Sequence, residues 1–142
     1  MIIDAKDLVV GRIATKIATS VLKGEKVIVV NAEQAVMIGN KKQIVARYTQ
    51  KRDSRIKGNP LKGPKYPRMA DRLFRRIVRG MLPMSSSRGR NAFRNVKVFI
   101  GVPDEFKGKE FTKVSGSEYS GKSSFIYLKD LSIALGGKYE WS

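Results

Sequence analysis

The first thirty or so residues run short apolar strand, amphipathic helix, second apolar strand, and no other feature limits the possible folds as tightly. Ile2, Ile3 and Asp4 open with strand character. Val10, Ile13, Ala14, Ile17, Ala18, Val21 and Leu22 then recur at spacings of three and four, the stripe of a helix with one buried face. Gly24 follows as a stop signal. The next run, Lys26 to Asn31, is β-branched and continuously apolar at its centre, the pattern of a strand buried on both faces. A strand, helix and strand in that length form a βαβ unit, which demands a parallel sheet and a right-handed crossover. The predicted class is therefore α/β.

Further along, Ile44, Val45 and Tyr48 predict a weaker helix over 41–50. Residues 53–67 hold Gly58, Pro60, Gly63, Pro64 and Pro67 among lysines and arginines, and no amphipathic period survives there. A loop of that length inside a compact domain calls for a functional reason. The clearest helix spans 69–82, where Ala70, Leu73, Phe74, Ile77, Val78 and Met81 line one face. Gly80 and Pro83 close it, and Ser85 to Arg90 reads as a flexible basic stretch. Val96, Val98, Phe99 and Ile100 predict another strand within 95–101. Residues 106–122 show no period, 125–127 read as a short extended piece, and 128–135 as a last helix before Gly136 and Gly137. With 142 residues, no repeat and no linker composition, residues 1–142 read as one domain.

The net charge of +17 is concentrated in one stretch. Residues 41–97 hold eleven arginines and seven lysines against two acids, Asp53 and Asp71, a net +16, and the rest of the chain is nearly neutral. A one-sided block of this size repels itself until an anion neutralises it. Arginine outnumbers lysine, and its planar fork matches phosphate oxygens in pairs and stacks on bases. That weighting favours nucleic acid over a membrane surface.

Several chemistries are excluded or poorly supported. The chain has no cysteine and no histidine, so disulfides, Cys/His zinc sites, a thiolate nucleophile and a histidine base are impossible. No run approaches the roughly 20 apolar residues of a membrane span, and the start lacks signal-peptide features. The expectation is a soluble cytoplasmic chain. Gly116, Gly121, Lys122 and Ser123 match the phosphate-loop spacing G-x-x-x-x-G-K-S. That chemistry needs a strand entering and a helix leaving, yet the strand candidate at 111–114 is weak and Ser124 to Tyr127 make a poor helix start. Asp130 also follows too closely to end a later strand, so the match reads as coincidence. Gly11 and Arg12, at the first helix start, read as a strand-to-helix turn rather than a phosphate site. Asp104 and Glu105 have nothing converging on them, and no catalytic set, metal site or small-molecule substrate is indicated.

A set of strings then assembles in order. Gly11-Arg12-Ile13-Ala14-Thr15, Val29-Val30-Asn31-Ala32-Glu33 and Gly39-Asn40-Lys41 come first. Asn59-Pro60, Gly63-Pro64, Arg79-Gly80-Met81-Leu82-Pro83, Arg88-Gly89-Arg90 and Val98-Phe99-Ile100-Gly101-Val102-Pro103 follow. From residue 4 to about 103 the chain strongly resembles the large-subunit ribosomal protein thirteen family in its archaeal and eukaryotic-like form. The resemblance implies a three-layer α/β/α fold around a short parallel four-stranded sheet, with a basic arm. It implies a structural constituent of the large ribosomal subunit that binds rRNA early in assembly, beside other large-subunit proteins, with no enzyme activity and no cofactor. The chain departs from the family at Met84 to Ser87, where basic residues are usual, and 106–122 matches no family pattern.

The expected RNA-contacting residues follow from the charge block. Arg47 and the arm of about 51–68 come first, through Lys51, Arg52, Arg55, Lys57, Lys62, Lys65 and Arg68. Tyr66 is the stacking candidate within it, whereas Phe74 belongs to the apolar stripe. Arg72, Arg75, Arg76 and Arg79 form the basic face of the 69–82 helix, and Arg88, Arg90 and Arg94 extend it. Two other readings stand beside this one: an extra-ribosomal RNA-binding regulator or chaperone, and a nucleotide-binding protein using 116–123.

Overall fold

The computed structural model describes residues 1–112 and 114–138. Strand β1 (Ile2–Asp4), helix α1 (Val10–Leu22) and strand β2 (Val27–Val30) form the expected βαβ unit, with Ile2 opposite Ile28 and Asp4 opposite Val30 in parallel register. Gly24 adopts φ +95°, the left-handed conformation that ends α1 without a side-chain penalty. Strand β4 (Val96–Val98) pairs with the other edge of β2, giving a parallel sheet in the order β1-β2-β4.

A second, two-stranded sheet joins β3 (Val36–Ile38) antiparallel to β5 (Phe125–Tyr127), with Met37 opposite Ile126. The α/β class stands. Among the described residues, however, the parallel sheet has three strands rather than four. β3 touches the first unit through one parallel bridge between Val9 and Val36. β3 itself escapes sequence reading because three residues before Gly39 and Asn40 show too little period to separate strand from turn.

Among the described residues four further α-helices complete the fold: α2 (Lys41–Asp53), α3 (Ala70–Gly80), α4 (Ser87–Arg94) and α5 (Leu128–Ala134). The core draws Ile3, Val27 and Val29 from the sheet, Ile13 and Ile17 from α1, Phe74 and Val78 from α3, and Leu128 and Leu131 from α5. Burying a side chain such as Phe74 stabilises the fold by about 1.5–3 kcal/mol, so these positions hold the basic surface elements in place. Met81, on the predicted α3 stripe, lies beyond the helix and is exposed.

The stretch expected to be flexible, Ser85 to Arg90, is the start of α4. Ser86 supplies the reason. Its Oγ accepts the Gly89 N–H at 3.2 Å, an N-cap bond, and donates to the Pro83 carbonyl at 3.0 Å. Gly89 is buried, and any Cβ there would collide with the Pro83 carbonyl, so only glycine lets the two segments meet.

Within 106–122, the stretch without period in the sequence, described residues on either side of Lys113 bond to the start of the chain. The Thr112 N–H donates to the Ile2 carbonyl at 2.7 Å and the Val9 N–H to the Ser117 carbonyl at 2.7 Å. Part of the weak strand candidate at 111–114 lies outside the described residues at Lys113; Phe111, Thr112 and Val114 belong to no strand.

Candidate nucleic-acid interface

Helix α3 builds the centre of the surface. Leu73, Phe74 and Val78 point into the core, and that spacing turns Arg72, Arg75 and Arg79 outward, with Arg76 half-buried at the margin. Asp71 in the first turn and Arg79 in the last each complement the helix dipole. The four arginines and Phe93 line one open concavity. None of the four is ion-paired to a carboxylate among the described residues.

Aromatic rings aim two of them. The Arg75 guanidinium lies 4.6 Å from the Phe93 ring centre, and that of Arg76 lies 4.8 Å from the Tyr66 ring. Stacking on a ring fixes the guanidinium plane while leaving its N–H edge free for an anion. Tyr66 also meets Tyr48 edge-to-face at 5.8 Å, and the Lys51 ammonium sits 5.3 Å from Tyr48 and 5.6 Å from Tyr66. Tyr66 is thus half-buried between α2 and α3, anchoring the return of the arm. Burial, with a further push from Tyr66, raises the Tyr48 phenol pKa above its usual value.

The arm leaves α2 and extends through 54–69 with one 3-10 turn at Pro60–Lys62, capped by the Asn59 side chain, which accepts from the Leu61 N–H at 3.2 Å. Arg55, Lys57, Lys62, Lys65 and Arg68 are exposed along it, and Arg47 is exposed on α2. Leu61 at the turn is 84% exposed, so the arm's tip presents an apolar side chain among cations.

Arg52 is engaged inside the protein. It forms a two-pronged pair with Asp53, at 2.7 and 3.1 Å, and donates to the Leu135 carbonyl at 3.1 Å. The hydrogen bond from Arg52 lowers the Asp53 carboxyl pKa below the usual range. Arg88 donates to the Leu22 carbonyl at 3.3 Å, at the C-terminal end of α1, and Arg90 to the Ser85 carbonyl at 2.9 Å. These two also serve the turns they sit beside. Arg94 remains exposed and, with Lys97 of β4, lines a hollow next to Arg72 and Arg75. Sequence reasoning does not single out Lys97, because its neighbours along the chain are apolar strand residues and only the fold brings it to α3.

The phosphate-loop spacing has no matching structure. Among the described residues no strand enters it, and Ser124 leads into β5 rather than a helix. Arg12 holds the fold together instead. It donates to the Gly116 and Glu118 carbonyls at 3.3 and 3.4 Å, and Lys16 donates to the Ser115 carbonyl at 2.6 Å. Both fasten this loop against α1. No group of carboxylates that could hold a metal ion occurs among the described residues, and no helix there is long and apolar enough to cross a membrane.

The surface is therefore a set of stacked and free cations around shallow hollows, suited to holding an anionic polymer. The family model for ribosomal protein L13 matches residues 1–105. The chain is 47% identical over 140 residues to the large ribosomal subunit protein uL13 of Methanococcus maripaludis, covering 98% of this chain and 99% of the relative. It is 44% identical over 138 residues to that of Archaeoglobus fulgidus, covering 95% and 86%. With that of Methanocaldococcus jannaschii it shares 40% identity over 139 residues, covering 97% and 98%. By the extent of the family match and of these relatives, the chain belongs to the ribosomal protein L13 family, structural constituents of the large ribosomal subunit and not enzymes.

Proposed function

We propose that this chain acts as a single domain, in the ribosomes of the cytoplasm, by binding large-subunit rRNA through the arm and the arginine face of α3. Arg94 and the exposed ends of Arg88 and Arg90 extend that surface toward α4. The observation that supports this most is the convergence of Arg72, Arg75, Arg76 and Arg79 around Phe93 with no carboxylate paired to them among the described residues. Unpaired cations at this density repel one another until phosphate oxygens approach. Each neutralised phosphate releases counterions, so binding falls steeply with salt. Recognition is mostly of folded RNA shape, because phosphate contacts position the protein without reading sequence. A surface that needs RNA to neutralise it also fits early entry into the assembling subunit, beside other large-subunit proteins.

The test is a sucrose gradient of cell lysate washed at high salt and probed for this protein. Sedimentation with the large subunit through the wash supports the reading. Release into the light fractions with RNA affinity intact would instead favour an extra-ribosomal RNA-binding role.

A further inference from the structure

We propose that the C-terminal end of α5 holds both roots of the basic arm and so positions the arm for RNA, with Arg52, Ser132 and Gly137 as positioning residues. The inference rests on the reading above, that the arm binds RNA. α5 lies outside residues 1–105, the part of the chain that the family model matches.

The arm leaves α2 at Asp53 and enters α3 at Ala70, and the end of α5 meets it on both sides. On the outgoing side, Nη1 of Arg52 donates to the Leu135 carbonyl at 3.1 Å. Carbonyls at a helix C-terminus lack a donor within the helix, and Arg52 supplies one. Its Nε and Nη2 hold Asp53, so one guanidinium ties the end of α2 to the end of α5. On the returning side, the Ser132 hydroxyl donates to the Arg68 carbonyl, and both Ser132 and Leu135 are buried. Gly137 permits that meeting. Its N–H donates to the Ser132 carbonyl at 2.8 Å, and a Cβ there would collide with the Ser132 hydroxyl and stand 3.1 Å from the Arg68 carbonyl.

Charge by itself works against this junction. Arg52, Arg55 and Arg68 gather around Asp53, the sole acid in the sequence from 41 to 70. One carboxylate does not cancel three cations, and the bonds to Leu135 and from Ser132 oppose the remaining repulsion. Between the roots, residues 55–65 are exposed apart from the half-buried Gly63. An exposed loop with both ends fixed loses less conformational freedom when it binds, which raises affinity without adding a contact.

Ser132→Ala and Gly137→Ala test this in the full chain, because neither alters a charge. Trypsin is expected to cut both variants after Arg55, Lys57, Lys62 and Lys65 about tenfold faster than the unmodified protein, through local opening of the arm. Filter binding to purified large-subunit rRNA should weaken about fivefold with an unchanged salt slope, since no cation is removed. Ile3→Val is the control: it loosens the core at β1, lowers the thermal midpoint and should move neither readout. Cleavage or affinity matching the unmodified protein overturns the inference, as does an equal loss of affinity in Ile3→Val, which would make the effect one of stability alone. Should Ser132→Ala fail to fold, Gly137→Ala decides, because its site lies beyond the helix. Failure of the unmodified protein to bind rRNA overturns instead the RNA reading beneath, whatever the cleavage rates.

Discussion

The buried carboxylate of Glu33 accepts the backbone N–H of Gly101 at 3.0 Å, clamping the turn after β2 to the turn after β4. Around it the Asn31 N–H donates to the Gly101 carbonyl at 3.0 Å, and the Ala32 N–H to the Phe99 carbonyl at 3.2 Å. Asn31 and Gly101 both take left-handed backbone, φ +53° and +65°, which lets the two turns interlock. Two of the strings that carry the family resemblance thus meet at one end of the parallel sheet.

Glu33→Ala removes the acceptor and leaves a half-buried N–H unpaired. The expected loss is about 1–3 kcal/mol of stability, read as a lower thermal midpoint by circular dichroism. An unchanged midpoint would mean that the clamp adds nothing to the fold.

Gly89 and Pro83 fix how α4 follows α3. A methyl group at Gly89 must push the Pro83 carbonyl aside, so Gly89→Ala should cost about 1–3 kcal/mol as overpacking. Ser86→Ala, which loses only the cap, should cost about 1 kcal/mol. Urea unfolding of the two variants checks both size and order, and an equal or smaller effect of Gly89→Ala would contradict the close approach.

Replacing Arg72, Arg75, Arg76 and Arg79 together by Gln should lower the unfolding midpoint only through the lost stacking of Arg75 on Phe93 and Arg76 on Tyr66, since none holds an ion pair among the described residues. Binding to large-subunit rRNA should weaken. The slope of log affinity against log salt should flatten by about 3, at roughly 0.7–0.9 for each phosphate that is no longer neutralised. Filter binding across a salt series measures this, and an unchanged slope would remove the α3 face from the interface.

Two tyrosines should ionise late in an alkaline titration followed by ultraviolet absorbance. Burial raises the Tyr48 pKa, and the hydrogen bond its hydroxyl donates to Asp7 raises that of Tyr127. The folded protein therefore holds these protons more tightly than the unfolded chain. Their stabilising contribution is whole below about pH 10 and is lost as pH rises through the raised values. Tyr48→Phe and Tyr127→Phe should each remove part of the late phase, and a titration in which both variants match the parent would refute the assignment.

The basic face of α3 is legible in the sequence because one helical period places Leu73, Phe74 and Val78 inside and the arginines outside. The packing of Tyr66 is legible only in part. Its position in the arm is plain, but the rings and cations that hold it come from α2 and α3, distant in sequence. The helix at Ser87–Arg94 escapes sequence reading because its cap and its glycine contact reach back to Pro83.

Local period and charge, which depend only on neighbours along the chain, determined the βαβ unit, the α3 faces and the basic block. Long-range approach decided the rest: the pairing of β3 with β5, the use of Arg12 and Lys16 to hold residues 115–118, and the meeting of Asp71 with Arg94 and Lys97. These depend on which segments share a sheet or a cavity, and that is set by burial of the whole core rather than by any one stretch of sequence.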